Sequence, residues 1–184
     1  FVPVLAEYKT QGSAAAVKEL VNRVSGVLGG TLLFVTGISI LAAPLVTTIF
    51  APGFISHPEK FYLTTEMIRI TFPYLFLISM TGFCGAILNS FGRFAVPAFT
   101  PFFLNLSLIF AALIAAPWFA EPVFALAWGV LLAGVVQLLF QLPSLYRLDL
   151  VPRPIWDTSD KGVRRILKLM VPAMFGVSVS QINL

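Results

Sequence analysis

Residues able to do acid–base, nucleophilic or metal chemistry are few here, and they lie apart. Cys84 is the only cysteine and His57 the only histidine, so neither a disulfide nor a Cys/His metal cluster can be built within the chain. Cys84 sits in an apolar stretch, the usual setting of a small hydrophobe. The eight Asp and Glu residues form no pair at helical spacing inside an apolar run. No glycine-rich phosphate loop is present either. No catalysis, cofactor or bound metal is expected.

What remains is a set of amides, hydroxyls and prolines in apolar surroundings. Asn89, Asn105, Gln137, Gln141, Gln181 and Asn183 carry amides that hydrocarbon cannot satisfy, so each needs another helix or water. Gln137 and Gln141, at i and i+4, share one helix face. Near the end of the sequence, Gly176, Ser180 and Asn183 make one strip, and Ser178 with Gln181 makes a second. A helix surrounded by lipid cannot carry both strips, so Ser180, Gln181 and Asn183 are the candidate cavity-lining residues. Pro44, Pro73, Pro101 and Pro172 fall inside apolar runs. Each removes a backbone donor and bends a helix, which makes Pro73, Pro101 and Pro172 hinge candidates. Glu66 and Arg69, at i and i+3, are placed for a local ion pair.

The elements that must position these groups follow from composition. Of 184 residues, 58% are hydrophobic and only 11% charged, and the mean hydropathy is +0.93. A soluble domain carries roughly 25% charged residues. The chain is a membrane protein. Residues 24–58, 70–92, 94–120 and 122–146 contain no Asp, Glu, Lys or Arg, and 169–184 form a shorter uncharged run. A crossing helix needs about 20 apolar residues, which predicts spans near 24–51, 68–90, 97–118, 122–143 and 165–184. Strict alternation, the mark of a barrel strand, is missing. The expected fold is therefore an all-α polytopic transmembrane helix bundle. Residues 1–8 are too short to cross and resemble the exit end of an earlier helix, so the chain is expected to be an internal piece of a longer protein.

Charge sets the expected orientation. Lys9, Lys18, Arg23, Arg93, Arg147, Arg153, Lys161, Arg164, Arg165 and Lys168 are ten of the 12 basic residues, and alternating spans put all ten on one side. That excess marks the cytoplasmic face. Arg93, in the tight connection between two spans, is the expected cytoplasmic anchor. The net charge of +4 thus points to a membrane surface and not to nucleic acid. Residues 144–164 form the expected cytoplasmic connection. Within it Val151-Pro152-Arg153-Pro154 is extended, and Ser159 or Asp160 caps a following helix. Lys161 to Lys168 is basic and amphipathic, as a surface helix at the headgroups would be.

Read in order, several stretches carry a family resemblance: Phe1 to Tyr8, Ala51-Pro52-Gly53-Phe54, and Thr71-Phe72-Pro73-Tyr74. More specific are Gly85-Ala86-Ile87-Leu88-Asn89, Arg93-Phe94, Pro97 to Pro101 and Leu104-Asn105. Ala125 to Trp128, Gln141-Leu142-Pro143 and Gly176 to Ile182 follow. Together they resemble the MurJ (MviN) lipid II flippases of the multidrug/oligosaccharidyl-lipid/polysaccharide exporter superfamily. The resemblance implies part of the N-terminal lobe of a two-lobed flippase, from the end of helix two to helix seven. It implies a multi-pass protein of the bacterial inner membrane that moves lipid-linked peptidoglycan precursor from the cytoplasmic to the periplasmic leaflet by alternating access. Membrane lipids and cell-wall synthesis proteins are the further implied partners, in a role tied to peptidoglycan biosynthesis and cell shape. The alternatives are a polysaccharide-unit flippase, a drug/cation antiporter, or a non-transporting scaffold of the cell-wall machinery. An antiporter should hold an acid in mid-span. The acids here lie in loops or near span ends.

The charge pattern makes a prediction that needs only intact cells. A cysteine at Glu121 of the full-length protein should react with an impermeant thiol reagent added from outside, while one at Arg93 or Asp157 should not. Labelling at Arg93 would reverse the orientation.

Overall fold

Ser13 opens the first long helix, its Oγ accepting the Ala16 N–H at 3.3 Å. The structure, a computed structural model, describes the backbone of residues 1–182 and the side chains of residues 1–170 and Pro172, Gln11 excepted. Helix α1 (Val2–Gln11) leads into α2 (Ala14–Leu41). At Ala42 the helix breaks and α3 (Ala43–Phe50) begins, with Pro44 in its first turn, where a missing N–H costs nothing. A short 3₁₀ turn (Pro52–Phe54) precedes α4 (Pro58–Ser90), a helix of 33 residues. Next come α5 (Ala95–Phe110), a π turn (Ala111–Ala115) and a 3₁₀ turn (Ala116–Trp118). Helix α6 (Val123–Arg147) and helix α7 (Lys161–Ile182) complete the order.

Among the described residues every regular element is helical. Ala14–Leu41, Pro58–Ser90, Ala95–Trp118 and Val123–Arg147 are each long and apolar enough to cross a membrane. The helices reach further than the apolar runs suggest. Helix α2 starts at Ala14 and carries Lys18, Glu19 and Arg23, and α4 starts at Pro58. Charges mark where hydrocarbon stops, whereas a helix with its own hydrogen bonds continues into the headgroups. Lys161 to Lys168, expected as a surface helix at the headgroups, form the first turns of α7. Val163 and Ile166 explain the difference: they are 2% and 3% exposed and join the core.

Helix α4 lies at the centre, packed on α1, α2, α3, α5 and α6. Small residues bring the backbones together. A methyl on Gly134 of α6 would stand 2.8 Å from the Tyr74 ring and 2.9 Å from Leu77 Cβ on α4. Gly129 of α6 faces Ser107 and buried Ala111, where α5 passes into its π turn. The core gathers Leu5, Val21, Ile87, Leu88 and Leu145 with Val163 and Ile166, drawing on α1, α2, α4, α6 and α7. The far half of α2 instead exposes Leu33, Phe34, Ile38 and Leu41, the apolar surface that lipid would cover.

Two helix ends use left-handed residues. Helix α4 closes with Arg93 N–H donating to Leu88 O and Gly92 N–H to Asn89 O, both near 3.0 Å, with Gly92 at φ 72°. Helix α6 closes in the same way around Asp149 at φ 55°, with Leu150 N–H donating to Leu145 O. Space around Gly92 is open, so only its backbone resists a side chain. Gly92→Ala should lower stability by about 1 kcal/mol. Gly37→Ala, also in open space but inside α2, should be neutral or stabilising. Thermal unfolding of the full-length protein in detergent distinguishes the two, and equal effects would contradict the turn assignment.

Candidate functional site

Of the described span amides, Gln137 and Gln141 join helices, whereas Asn89 and Asn105 are exposed. Gln137 and Gln141 of α6 are 2% and 1% exposed. Gln137 Nε2 donates to Thr100 O of α5 at 3.0 Å, and Gln141 Nε2 to Thr81 O of α4 at 3.2 Å. One face of α6 therefore clips both neighbours, as its i, i+4 spacing allows. Their two amide oxygens and Thr81 Oγ1 have no protein partner among the described residues. The seam thus keeps unused acceptors inside an apolar bundle.

The proline sites differ in how the freed carbonyl is treated. Pro101 lies inside α5 and leaves Pro97 O without its helical donor. Thr100 Oγ1 takes that place, donating to Pro97 O at 2.7 Å. Pro73 lies inside an unbroken α4 and Pro172 inside α7. Pro143, inside α6, is a further interruption. Glu66 and Arg69 form their ion pair at 2.5 Å.

The other polar feature is the end of the bundle that holds the basic residues. Residues 148–160 run as a strap from α6 back over α2. Asn22, 9% exposed, accepts twice from it: Oδ1 from Arg153 N–H at 2.8 Å, and its carbonyl from Ile155 N–H at 3.0 Å. One and two turns further along α2, the strap passes so close that only glycine fits. A methyl on Gly26 would overlap the Ile155 backbone, and one on Gly30 would overlap the Trp156 ring.

Ion pairs fasten this arrangement. Arg23 meets Glu19 at 2.5 Å, Asp157 at 3.4 Å, and Asp160 in a closer pair. Asp160 also caps α7, its Oδ1 accepting the Val163 N–H at 3.0 Å. Lys18 pairs with Asp149 and Arg165 with Glu7, both at 2.7 Å. Burial alone would raise the Asp160 carboxyl, but the Val163 N–H and the Arg23 guanidinium outweigh it and hold the group below its ordinary value of 3.8. Lys18 holds Asp149 below the same value. A cavity of about 490 Å³ opens beside these groups, lined among others by Lys9, Lys18, Phe91 and Asp149.

Arg93 is exposed at this end, in the α4–α5 turn. Its guanidinium makes no ion pair or hydrogen bond among the described residues. The cavity-lining candidates Ser180, Gln181 and Asn183 lie outside the described residues, the first two by their side chains and Asn183 altogether. Sequence reading did not find the strap contact. Its signal was the small-residue row Asn22, Gly26, Gly30 at every fourth position, which reads equally as a helix–helix contact.

Long apolar helices, a polar seam and an end rich in basic residues define a polytopic membrane protein. The family described as lipid II flippase MurJ matches residues 1–184. The chain is 42% identical to a probable lipid II flippase MurJ of Haemophilus influenzae, covering all of this chain and 38% of that protein. It is 45% identical to a probable lipid II flippase MurJ of Vibrio cholerae and 43% identical to the lipid II flippase MurJ of Burkholderia cenocepacia, covering 36% of each. The chain belongs to the lipid II flippase MurJ family, whose members are multi-pass proteins of the bacterial inner membrane. It spans little more than a third of the length of these relatives.

The depressed carboxylates give the strap a pH dependence of definite sign. A carboxylate with a lowered folded-state value stabilises fully above its ordinary value, and the contribution is lost as pH falls through the lower folded value. Asp160→Asn keeps the capping oxygen and removes the charge facing Arg23. Its thermal midpoint should lie below that of the parent at neutral pH, and the gap should close below about pH 3.8. A gap that persists at low pH would place its origin outside the ion pair.

Proposed function

We propose that the protein carrying this chain flips lipid-linked peptidoglycan precursor from the cytoplasmic to the periplasmic leaflet by alternating access. The observation that carries this reading is the family match over residues 1–184. The architecture supports it. A flippase needs helices that pack closely without fusing into one rigid block. The α4–α6 and α5–α6 contacts include glycines at close approach, two glutamine hydrogen bonds and the Phe99, Phe103 and Phe140 rings. No covalent step is involved, so the protein acts as a transporter and not as an enzyme.

Pro73, Pro101 and Pro172 are the proposed bending points, and Ser180, Gln181 and Asn183 the proposed cavity-lining positions. Arg93 is the proposed anchor at the cytoplasmic surface. The acids within described helices favour flipping over proton- or sodium-coupled antiport. Glu7, Glu19 and Glu66 each face an arginine, and Glu59 is exposed in the first turn of α4, so none is placed in mid-span as a coupling acid would be.

The test is complementation of cells depleted of their own flippase. With the full-length protein restored, precursor at the outer leaflet should become open to an externally added enzyme that cleaves it. Precursor that stays inaccessible while the protein is present at normal level would overturn the reading. A leaflet distribution unchanged by depletion would favour the scaffold.

A further inference from the structure

We propose that Asn22 and Arg23 are positioning residues that fix the placement and direction of the first turns of α7. The transport consequence of this inference rests on the flippase reading above. Among the described residues, α7 is held to the other helices by its first turns, where Val163 and Ile166 are buried. Gly162 lies beneath Leu20 and the Tyr8 hydroxyl, and Arg165 reaches Glu7. The segment that delivers α7 to this place has no regular structure between Val151 and Trp156, so it cannot hold a direction by itself.

Asn22 and Arg23 supply what the strap lacks. Asn22 takes two backbone N–H groups of the strap, at Arg153 and Ile155. Oδ1 and the main-chain oxygen of one residue thereby set both the height and the register of the crossing. Gly26 and Gly30 then leave room for the backbone and the Trp156 ring, so a shift along α2 would meet side chains. Arg23, next in sequence, holds Asp157 at the end of the strap and Asp160 at the cap of α7. Two adjacent residues of α2 therefore hold the middle of the strap and its junction with α7. The ion pair between Glu7 and Arg165 is exposed, its side chains 37% and 57% accessible, and surface pairs of this kind hold little by themselves. Among the described residues, the direction of α7 thus depends on the partly buried Asn22 and Arg23 contacts, which bring Val163 and Ile166 onto the core.

The experiment uses the full-length protein in depleted cells, with Asn22→Leu and Asn22→Asp as the contrasting variants. Leucine has similar size and no acceptor, whereas aspartate keeps the side-chain oxygen that meets Arg153 N–H. At equal protein level, Asn22→Leu should lower precursor flipping several-fold and Asn22→Asp should retain it. A purely structural role is separated by a crosslink formed after folding. Glu7→Cys with Arg165→Cys, bridged by a bifunctional maleimide, should return flipping to the Asn22→Leu protein; Cys84 is buried and takes no part.

Docking is read independently of substrate. A cysteine at Val163 should be slow to react with a water-soluble thiol reagent in the parent and faster in Asn22→Leu. Parent-like flipping in Asn22→Leu, or a crosslink that restores nothing, would overturn the proposal. Faster labelling with flipping unchanged would also overturn it, because α7 would then be free without consequence. If the parent itself fails to flip precursor, the flippase reading falls while the labelling still reports on α7.

Discussion

Inside hydrocarbon a backbone N–H or C=O has no partner beyond the protein, and the rest of this bundle is arranged around that constraint. The helices answer most of it, and side chains repair the remainder. Where Pro101 frees the Pro97 carbonyl, the Thr100 hydroxyl occupies it. Thr47, Thr71 and Ser90 turn their hydroxyls back to carbonyls four residues earlier, and Thr47 also bridges to Thr65 on the neighbouring helix. Gln137 and Gln141 carry their donors across to α5 and α4. Polar chemistry in the membrane therefore becomes a means of joining helices.

A segment that cannot satisfy its own backbone has to leave the hydrocarbon or borrow partners, and residues 148–160 do both. They lie at the charged end and take Asn22 as an acceptor for two of their amides. The acids of this end are spoken for: Glu7, Glu19, Asp149, Asp157 and Asp160 all face Lys18, Arg23 or Arg165. Arg93, Arg147, Arg153, Lys161 and Lys168 make no ion pair among the described residues. Internal pairing among the described residues thus leaves this end cationic, the charge excess from which a cytoplasmic face is expected.

Helical class, the charged end and the shared face of Gln137 and Gln141 were legible in the sequence because each follows from period or charge. The helix limits were not, since Lys18, Glu19 and Arg23 bound the apolar run but sit within α2. The π turn at Ala111–Ala115 gives no residue-type signal, because Ala, Leu and Ile suit an ordinary helix equally well. Asp160 as the cap of α7 was legible from residue type, yet its pairing with Arg23 was not. That contact joins residues 137 apart in sequence, and only the path of the strap brings them together.

The same small-residue device serves two purposes here, and they differ in what a side chain would displace. Around Gly134 the obstructing atoms are the Tyr74 ring and Leu77 Cβ; the ring can turn to another rotamer, but the Cβ moves only with its helix, so a methyl there would push α4 and α6 apart. Around Gly26 the obstructing atoms are the backbone N, C and O of Ile155, and that N–H is already committed to Asn22. Moving the backbone would break the hydrogen bond that places the strap. Glycine at position 26 is therefore bound to the position of α7 through a contact between main chains, whereas glycine at 134 sets only how closely two helices pack.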